Sequence, residues 1–160
     1  MRVETDRLNA RIEKDRTMQP RRLTDDLAVS PQITADDIAE AAAEGFKAIV
    51  CNRPDNESGD QVAYGEIEAA AKAAGLEIAW QPVASGAVSA ADGARFGEIV
   101  SDLPGPVLAY CRSGTRCTIL WALSEAGRRP TAEIIRRAAD AGYDLSPLAP
   151  RLESLAAERR

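Results

Sequence analysis

Val107-Leu108-Ala109-Tyr110-Cys111-Arg112-Ser113-Gly114-Thr115-Arg116-Cys117 leads into a second apolar run, Ile119-Leu120-Trp121-Ala122-Leu123, which closes at Ala126-Gly127. The first run reads as a buried strand and the second as a buried helix, with a tight loop of small and polar residues between them. That loop is Cys111-x4-Arg116. A thiol is a weak nucleophile until ionised, and a helix N-terminus can lower its pKa from about 8.5 into the range of roughly 3.5–7.5. The first backbone N–H groups of the helix lack internal partners, so curled around the sulfur they cradle an anion. Gly114 permits a backbone turn closed to residues with a Cβ. Arg116 offers a planar, permanently charged fork for an oxyanion, Ser113 and Thr115 can add hydroxyl donors, and Arg112 completes the loop. The pattern suits a thiolate that attacks an anionic group or carries one.

The rest of the chain alternates strands and helices around this stretch. Leu27-Ala28-Val29-Ser30 reads as a short strand, followed by a helix that Thr34 caps and whose first turn carries Asp36 and Asp37. Ala48-Ile49-Val50-Cys51-Asn52 is a buried strand that opens into the polar stretch Arg53-Pro54-Asp55-Asn56-Glu57-Ser58-Gly59-Asp60. Sites in open α/β sheets lie at the carboxyl ends of strands, so this loop should flank Cys111. Asn52, Arg53 and Asp55 are its candidate site residues, Asp55 as a proton donor or as the group that orients Arg116. The spacing predicts a helix from about Gln61 to Ala74, a strand over Glu77 to Val83, and a helix near Ala90 capped by Ser89. Beyond Gly127, Thr131 should cap one more helix, and Ser146-Pro147 should start the last. This order predicts an α/β fold of three layers, a mostly parallel four- to five-stranded sheet with helices on both faces. Residues 1–20, alternating in charge sign with a thin Val3, Leu8, Ile12 stripe, read as an N-terminal extension, either a docking helix or a solvated arm, and residues 21–160 as the domain.

Composition narrows the chemistry. The 160 residues suit one domain, 45% hydrophobic and 28% charged, with net charge −5, which argues against a nucleic-acid partner held through phosphates. No apolar stretch approaches the ~20 residues of a membrane span, and the charged N-terminus reads as no secretory signal. Three cysteines suggest no disulfide scaffold and point to a reducing, cytoplasmic setting. There is no histidine, which removes Cys–His catalysis and histidine metal sites. Neither cofactor nor metal is expected, and Cys111 must be activated by backbone amides, the helix dipole and arginine.

Two enzyme classes share this plan. Tyrosine and dual-specificity phosphatases use Cys-x5-Arg, whereas rhodanese-type sulfurtransferases use the shorter Cys-x4-Arg or a near variant. Residues 20–145 resemble the phosphatase-like sulfurtransferases, also called beta-lactamase hydrolase-like proteins, through Leu27–Gln32, Asn52-Arg53-Pro54-Asp55, Gln81-Pro82-Val83 and Gly105–Arg116. The resemblance implies a dual-specificity-phosphatase-like fold bearing a rhodanese-sized loop. It implies sulfane-sulfur chemistry linked to bacterial sulfide oxidation and persulfide dioxygenases. Cys111 then serves as nucleophile and Arg116 as the anion-binding arginine. One departure is Cys117, where the resemblance leads one to expect serine. The reaction expected on this basis takes a sulfur from thiosulfate or glutathione persulfide onto Cys111 and passes it to a thiol, sulfite or cyanide. The alternatives are a phosphatase using Asp55 or Asp92 as acid, and a redox or sulfide-sensing thiol protein pairing Cys111 with Cys117 or Cys51.

Overall fold

The computed structural model describes residues 18–160, so the readings made for residues 1–17 lie outside the described residues. Met18 is buried against the domain, and packing therefore begins before residue 21, the boundary expected from sequence. Five strands form one sheet: β1 (Arg21–Arg22), β2 (Leu27–Ser30), β3 (Ala48–Cys51), β4 (Glu77–Trp80) and β5 (Val107–Tyr110). Their spatial order is β1-β2-β5-β3-β4. β2, β5, β3 and β4 run parallel, and β1 is antiparallel to β2. The expected three-layer α/β architecture is present.

Period-two alternation assigns the two faces of β5. Val107 and Ala109 enter a core with Val29 and Val50, while Leu108 and Tyr110 enter another with Ala28 and Ile49. The second face is covered by α1 (Ala35–Ala43), through Ile38 and Ala41, and by α2 (Tyr64–Ala73), through Ile67 and Ala71. The first is covered by α3 (Ala90–Asp102), α4 (Thr115–Glu125), α5 (Thr131–Asp140) and α6 (Ala149–Glu158), which contribute Phe96, Leu120, Ile134 and Leu152. Capping boxes fix the starts of two helices: Thr34 with Asp37 for α1, and Ser89 with Asp92 for α3.

Some boundaries differ from the sequence reading. α2 starts at Tyr64 rather than near Gln61, because the chain first completes the 53–63 loop. β4 ends at Trp80, although the Gln81 N–H still donates to the Cys51 carbonyl at 2.8 Å. Thr131 is the first helical residue of α5, not its cap, and Pro130 occupies the cap position. A 3-10 turn over Ser146–Leu148 precedes the final helix.

α3 and α4 approach closely at two small residues. A Cβ built on Gly93 would sit 2.5 Å from the Leu123 Cβ, and one on Gly97 3.1 Å from the Ser124 Cβ. Gly93→Ala is therefore expected to lower stability by about 1–3 kcal/mol through overpacking. Gly65→Ala, in α2 where nothing lies within 4 Å, is expected to be neutral or to stabilise by up to about 1 kcal/mol. Denaturant titration of both variants checks the contrast, and equal effects would contradict the close helix contact.

The parallel register aligns three strand ends: Tyr110 lies beside Ser30 on one side and Cys51 on the other. The segments that follow, Pro31-Gln32, Asn52-Arg53 and the Cys111 loop, therefore converge at one edge of the sheet.

Candidate active site

Cys111 leaves β5 on the α4 side, in the same core as Ala109 and Leu120. Its N–H donates to the Ser30 carbonyl at 3.3 Å, extending the ladder by one residue. The chain then folds back over the sulfur. Gly114 adopts φ +92 as the residue before α4, and its N–H donates to the Cys111 Sγ at 3.1 Å. The amides of Arg116 and Cys117 also donate to this sulfur. The unpaired N–H groups at the start of α4 are thus spent on the sulfur, as the anion-cradle reading required.

Neighbouring elements fasten the loop. The Gln32 N–H donates to the Arg112 carbonyl at 3.2 Å, the Tyr143 hydroxyl to the Ser113 carbonyl at 3.0 Å, and the Thr118 hydroxyl to the Gly114 carbonyl at 2.8 Å. Ser113 and Thr115 were expected to present hydroxyls to an anion. They are exposed, and the Ser113 hydroxyl donates to the Thr115 Oγ1 at 3.0 Å. Arg112 is also exposed.

The local chemistry favours a thiolate. The Cys117 thiol hydrogen-bonds to the Cys111 sulfur and is the largest influence lowering its pKa. Burial opposes this, the loop amides reinforce it, and the Cys111 pKa falls to about 6. Burial and the neighbouring Cys111 push Cys117 the other way, so it remains a protonated donor. A cysteine stands where serine was expected, and it supplies the hydrogen bond a hydroxyl would give. Alkylation of Cys111 by iodoacetamide should therefore accelerate through a midpoint at pH about 6 and level off above it, because only the thiolate reacts. Cys117→Ala should move that midpoint upward, and Cys117→Ser, which keeps a donor, should move it less. Peptide mass mapping reads the rates, and a midpoint at the free-thiol value of about 8.5 would rule out the cradle.

Arg116 is 7% exposed and largely engaged. Its Nη1 donates to the Val83 carbonyl at 2.9 Å, the Asn52 carbonyl at 3.4 Å and Glu57 Oε2 at 3.0 Å, while Nη2 donates to Glu57 Oε1 at 3.2 Å. Its Nε is buried and has no partner. The sequence reading expected an open guanidinium fork, whereas the terminal fork is filled by Glu57 and the Nε edge alone is free. Glu57 also accepts from Arg53 Nε at 2.9 Å. Arg53 in turn donates through Nη1 to Gln32 Oε1 at 2.9 Å and through Nη2 to Ser58 Oγ at 3.3 Å. Partial burial pushes the Glu57 carboxyl up, but the hydrogen bonds and charges of Arg116 and Arg53 outweigh it and hold Glu57 below the usual carboxylate range.

Residues 19–128 match the family model described as the beta-lactamase hydrolase-like protein, phosphatase-like domain. The chain belongs to that family. A beta-lactamase hydrolase-like protein of Agrobacterium fabrum is 33% identical over 130 residues, covering 80% of this chain and 30% of that protein. The chain thus spans about 30% of the length of this curated relative. Among solved structures, a candidate phosphatase of Neisseria meningitidis is 38% identical with a TM-score of 0.77, covering 84% of this chain and 96% of its own. TpbA of P. aeruginosa, 16% identical, superposes with a TM-score of 0.66 over 89% of this chain and 91% of its own, a likeness of fold alone. The fold is that of the dual-specificity and tyrosine phosphatases.

Within this phosphatase-like domain the remaining candidates have structural duties. Asp55 was read as a proton donor or as the partner of Arg116. Instead its Oδ1 accepts the Tyr64 N–H at 2.8 Å at the start of α2, and Glu57 pairs with Arg116. Asp92 accepts the Ser89 N–H at 3.0 Å in the α3 capping box. Asn52 Nδ2 donates to the Gln81 carbonyl and Oε1 at 3.1 and 3.2 Å, which holds the β3 and β4 ends together beneath Arg116. Cys51 donates to the Arg53 carbonyl at 3.4 Å, and burial pushes its thiol pKa up, away from ready ionisation. No helix among the described residues is long and apolar enough to cross a membrane.

Glu57 is the site residue that sequence reasoning missed. Its spacing from Arg53, four residues along the same loop, was the available signal. Its contact with Arg116 spans 59 positions and left no local trace.

Proposed function

We propose that this domain transfers sulfane sulfur from thiosulfate or a low-molecular-weight persulfide to a thiol-type acceptor through a persulfide on Cys111. The observation that supports this most is an activated thiolate whose candidate proton donors among the described residues are otherwise engaged. Asp55 accepts the Tyr64 N–H, Asp92 belongs to the α3 capping box, and Glu57 is held ionised between two arginines. A phosphate ester expels an alkoxide or phenoxide, which a general acid must protonate. Sulfite and thiolates are stable anions that leave without one.

The reaction has two steps. The Cys111 thiolate attacks the sulfane sulfur, the bond from that sulfur to sulfite or to the donor thiolate breaks, and the amides of Gly114, Arg116 and Cys117 steady the new persulfide. An acceptor thiolate, sulfite or cyanide then removes the outer sulfur and restores the Cys111 thiolate. The family resemblance adds a consumer of the product, a persulfide dioxygenase or another sulfide-oxidation enzyme, and a reducing cytoplasmic setting keeps the three free cysteines as thiols.

A phosphatase is the second reading, favoured by the family description and by the Neisseria meningitidis neighbour. Parallel assays separate the two. Sulfur transfer predicts thiocyanate formation from donor and cyanide, with negligible turnover of p-nitrophenyl phosphate. Brisk p-nitrophenyl phosphate hydrolysis that disappears in Asp55→Asn or Asp92→Asn, without thiocyanate formation, would replace sulfur transfer with the phosphatase reading.

A further inference from the structure

Glu57 has no part in the two steps above, yet it sits on the arginine assigned to the substrate. Its two carboxylate oxygens face the two terminal nitrogens of Arg116 at 3.0 and 3.2 Å, and one of them also accepts from Arg53 at 2.9 Å. Its side chain is 21% exposed, against 8% for that of Arg116, so it closes the arginine off from the solvent side. Arg116 Nη1 also donates to the backbone carbonyls of the fully buried Asn52 and of Val83. Of the guanidinium nitrogens, the buried Nε has no partner.

We propose that Glu57 is a specificity-determining residue, a built-in counter-anion that makes the Cys111 bowl select sulfur donors carrying at most one negative charge at the reacting end. The proposal rests on the sulfur-transfer reading and names its donor class, a low-molecular-weight hydropersulfide rather than thiosulfate. The charges decide it. In the ion-paired cluster itself, the Glu57 carboxylate offsets one of the two positive charges of Arg53 and Arg116 and occupies the terminal fork of Arg116. A ligand with two negative charges therefore meets an arginine whose fork a carboxylate already holds, with only its Nε edge left without a partner. A neutral or singly charged sulfur terminus needs no more than that edge and the loop amides.

Both donors give balanced chemistry, so the preference lies in binding. A hydropersulfide RS–SH gives its outer sulfur, with its hydrogen, to the Cys111 thiolate. The RS–S bond breaks, and RS− leaves with the electron pair. Thiosulfate gives the same sulfur, leaving Cys111 as a persulfide anion and releasing sulfite with the electron pair. Only the second route brings a dianion into the bowl.

The test compares single-turnover sulfur loading of Cys111 from glutathione persulfide and from thiosulfate in the wild type, Glu57→Gln and Glu57→Asp. The wild type and Glu57→Asp should prefer the persulfide. Glu57→Gln should raise the thiosulfate-to-persulfide ratio at least about tenfold, because removing one charge from a partly buried cluster is worth that much or more. Sulfate, a dianion that transfers nothing, gives a separate binding readout through protection of Cys111 from alkylation. It should protect Glu57→Gln at concentrations about tenfold lower than the wild type. An unchanged loading ratio together with unchanged sulfate protection overturns the assignment. If Glu57→Gln does not fold, a wild type that loads as fast from thiosulfate as from persulfide overturns it equally. Failure of every donor to load would defeat the sulfur-transfer reading, while sulfate protection would still judge the role of Glu57.

Discussion

Gly114→Ala is expected to slow sulfur loading of Cys111 by at least about a hundredfold, the scale associated with misplacing a reacting group by about 1 Å. Two independent constraints converge on this position. The backbone is left-handed, at φ +92, where a residue with a Cβ carries a penalty of roughly 1–2 kcal/mol. The new methyl would also lie 2.1 Å from the Tyr143 Oη and 2.9 Å from its Cζ. Tyr143 cannot retreat without breaking its hydrogen bond to the Ser113 carbonyl. The loop must therefore shift, and the Gly114 amide that donates to the Cys111 sulfur shifts with it. Introducing Gly114→Ala into a Tyr143→Ala background separates the causes. The steric part should be relieved and the backbone part should persist, giving partial recovery. Wild-type loading in Gly114→Ala alone would show that the amide cradle does not matter.

Arg116→Lys is expected to reduce sulfur loading by about two orders of magnitude, the range seen on removing one donor from an anion site, and to lower stability by about 2 kcal/mol. The substitution keeps the charge and loses the fork. Nη1 reaches three acceptors in different directions, the carbonyls of Asn52 and Val83 and the Glu57 carboxylate. An ammonium on a flexible stem cannot hold all of these and present a free N–H edge as well. The buried carbonyls then lose a donor, and Glu57 keeps only Arg53. Loading kinetics and denaturant titration measured together check both halves. A variant with wild-type kinetics would show that Arg116 only buttresses the loop.

The central unit was legible because its signals are local. The apolar run 107–110, a cysteine at its end, a glycine, and a second apolar run fix a strand, a loop and a helix within 20 residues, and these are β5 and α4 of the structure. Thr34 and Ser89 were readable as caps because a cap acts over three residues. β1 escaped notice because it consists of two exposed arginines, without apolar alternation, and exists only through pairing with Val29 and Ala28. The occupation of Arg116 escaped for a similar reason. The Glu57 contact depends on the 53–60 loop folding across the sheet edge, and the Tyr143 contact brings a residue from beyond α5 to the loop. Residue identities suggested that an arginine serves the cysteine, but only tertiary placement reveals that a carboxylate holds it.

The most direct test of the thiolate bowl as a sulfur carrier is the intact mass of the protein after brief exposure to glutathione persulfide and removal of the excess donor. The expected result is the gain of a single sulfur atom in the wild type, reversible by cyanide and absent in Cys111→Ser. An unchanged mass, or a gain that persists in Cys111→Ser, would contradict the account.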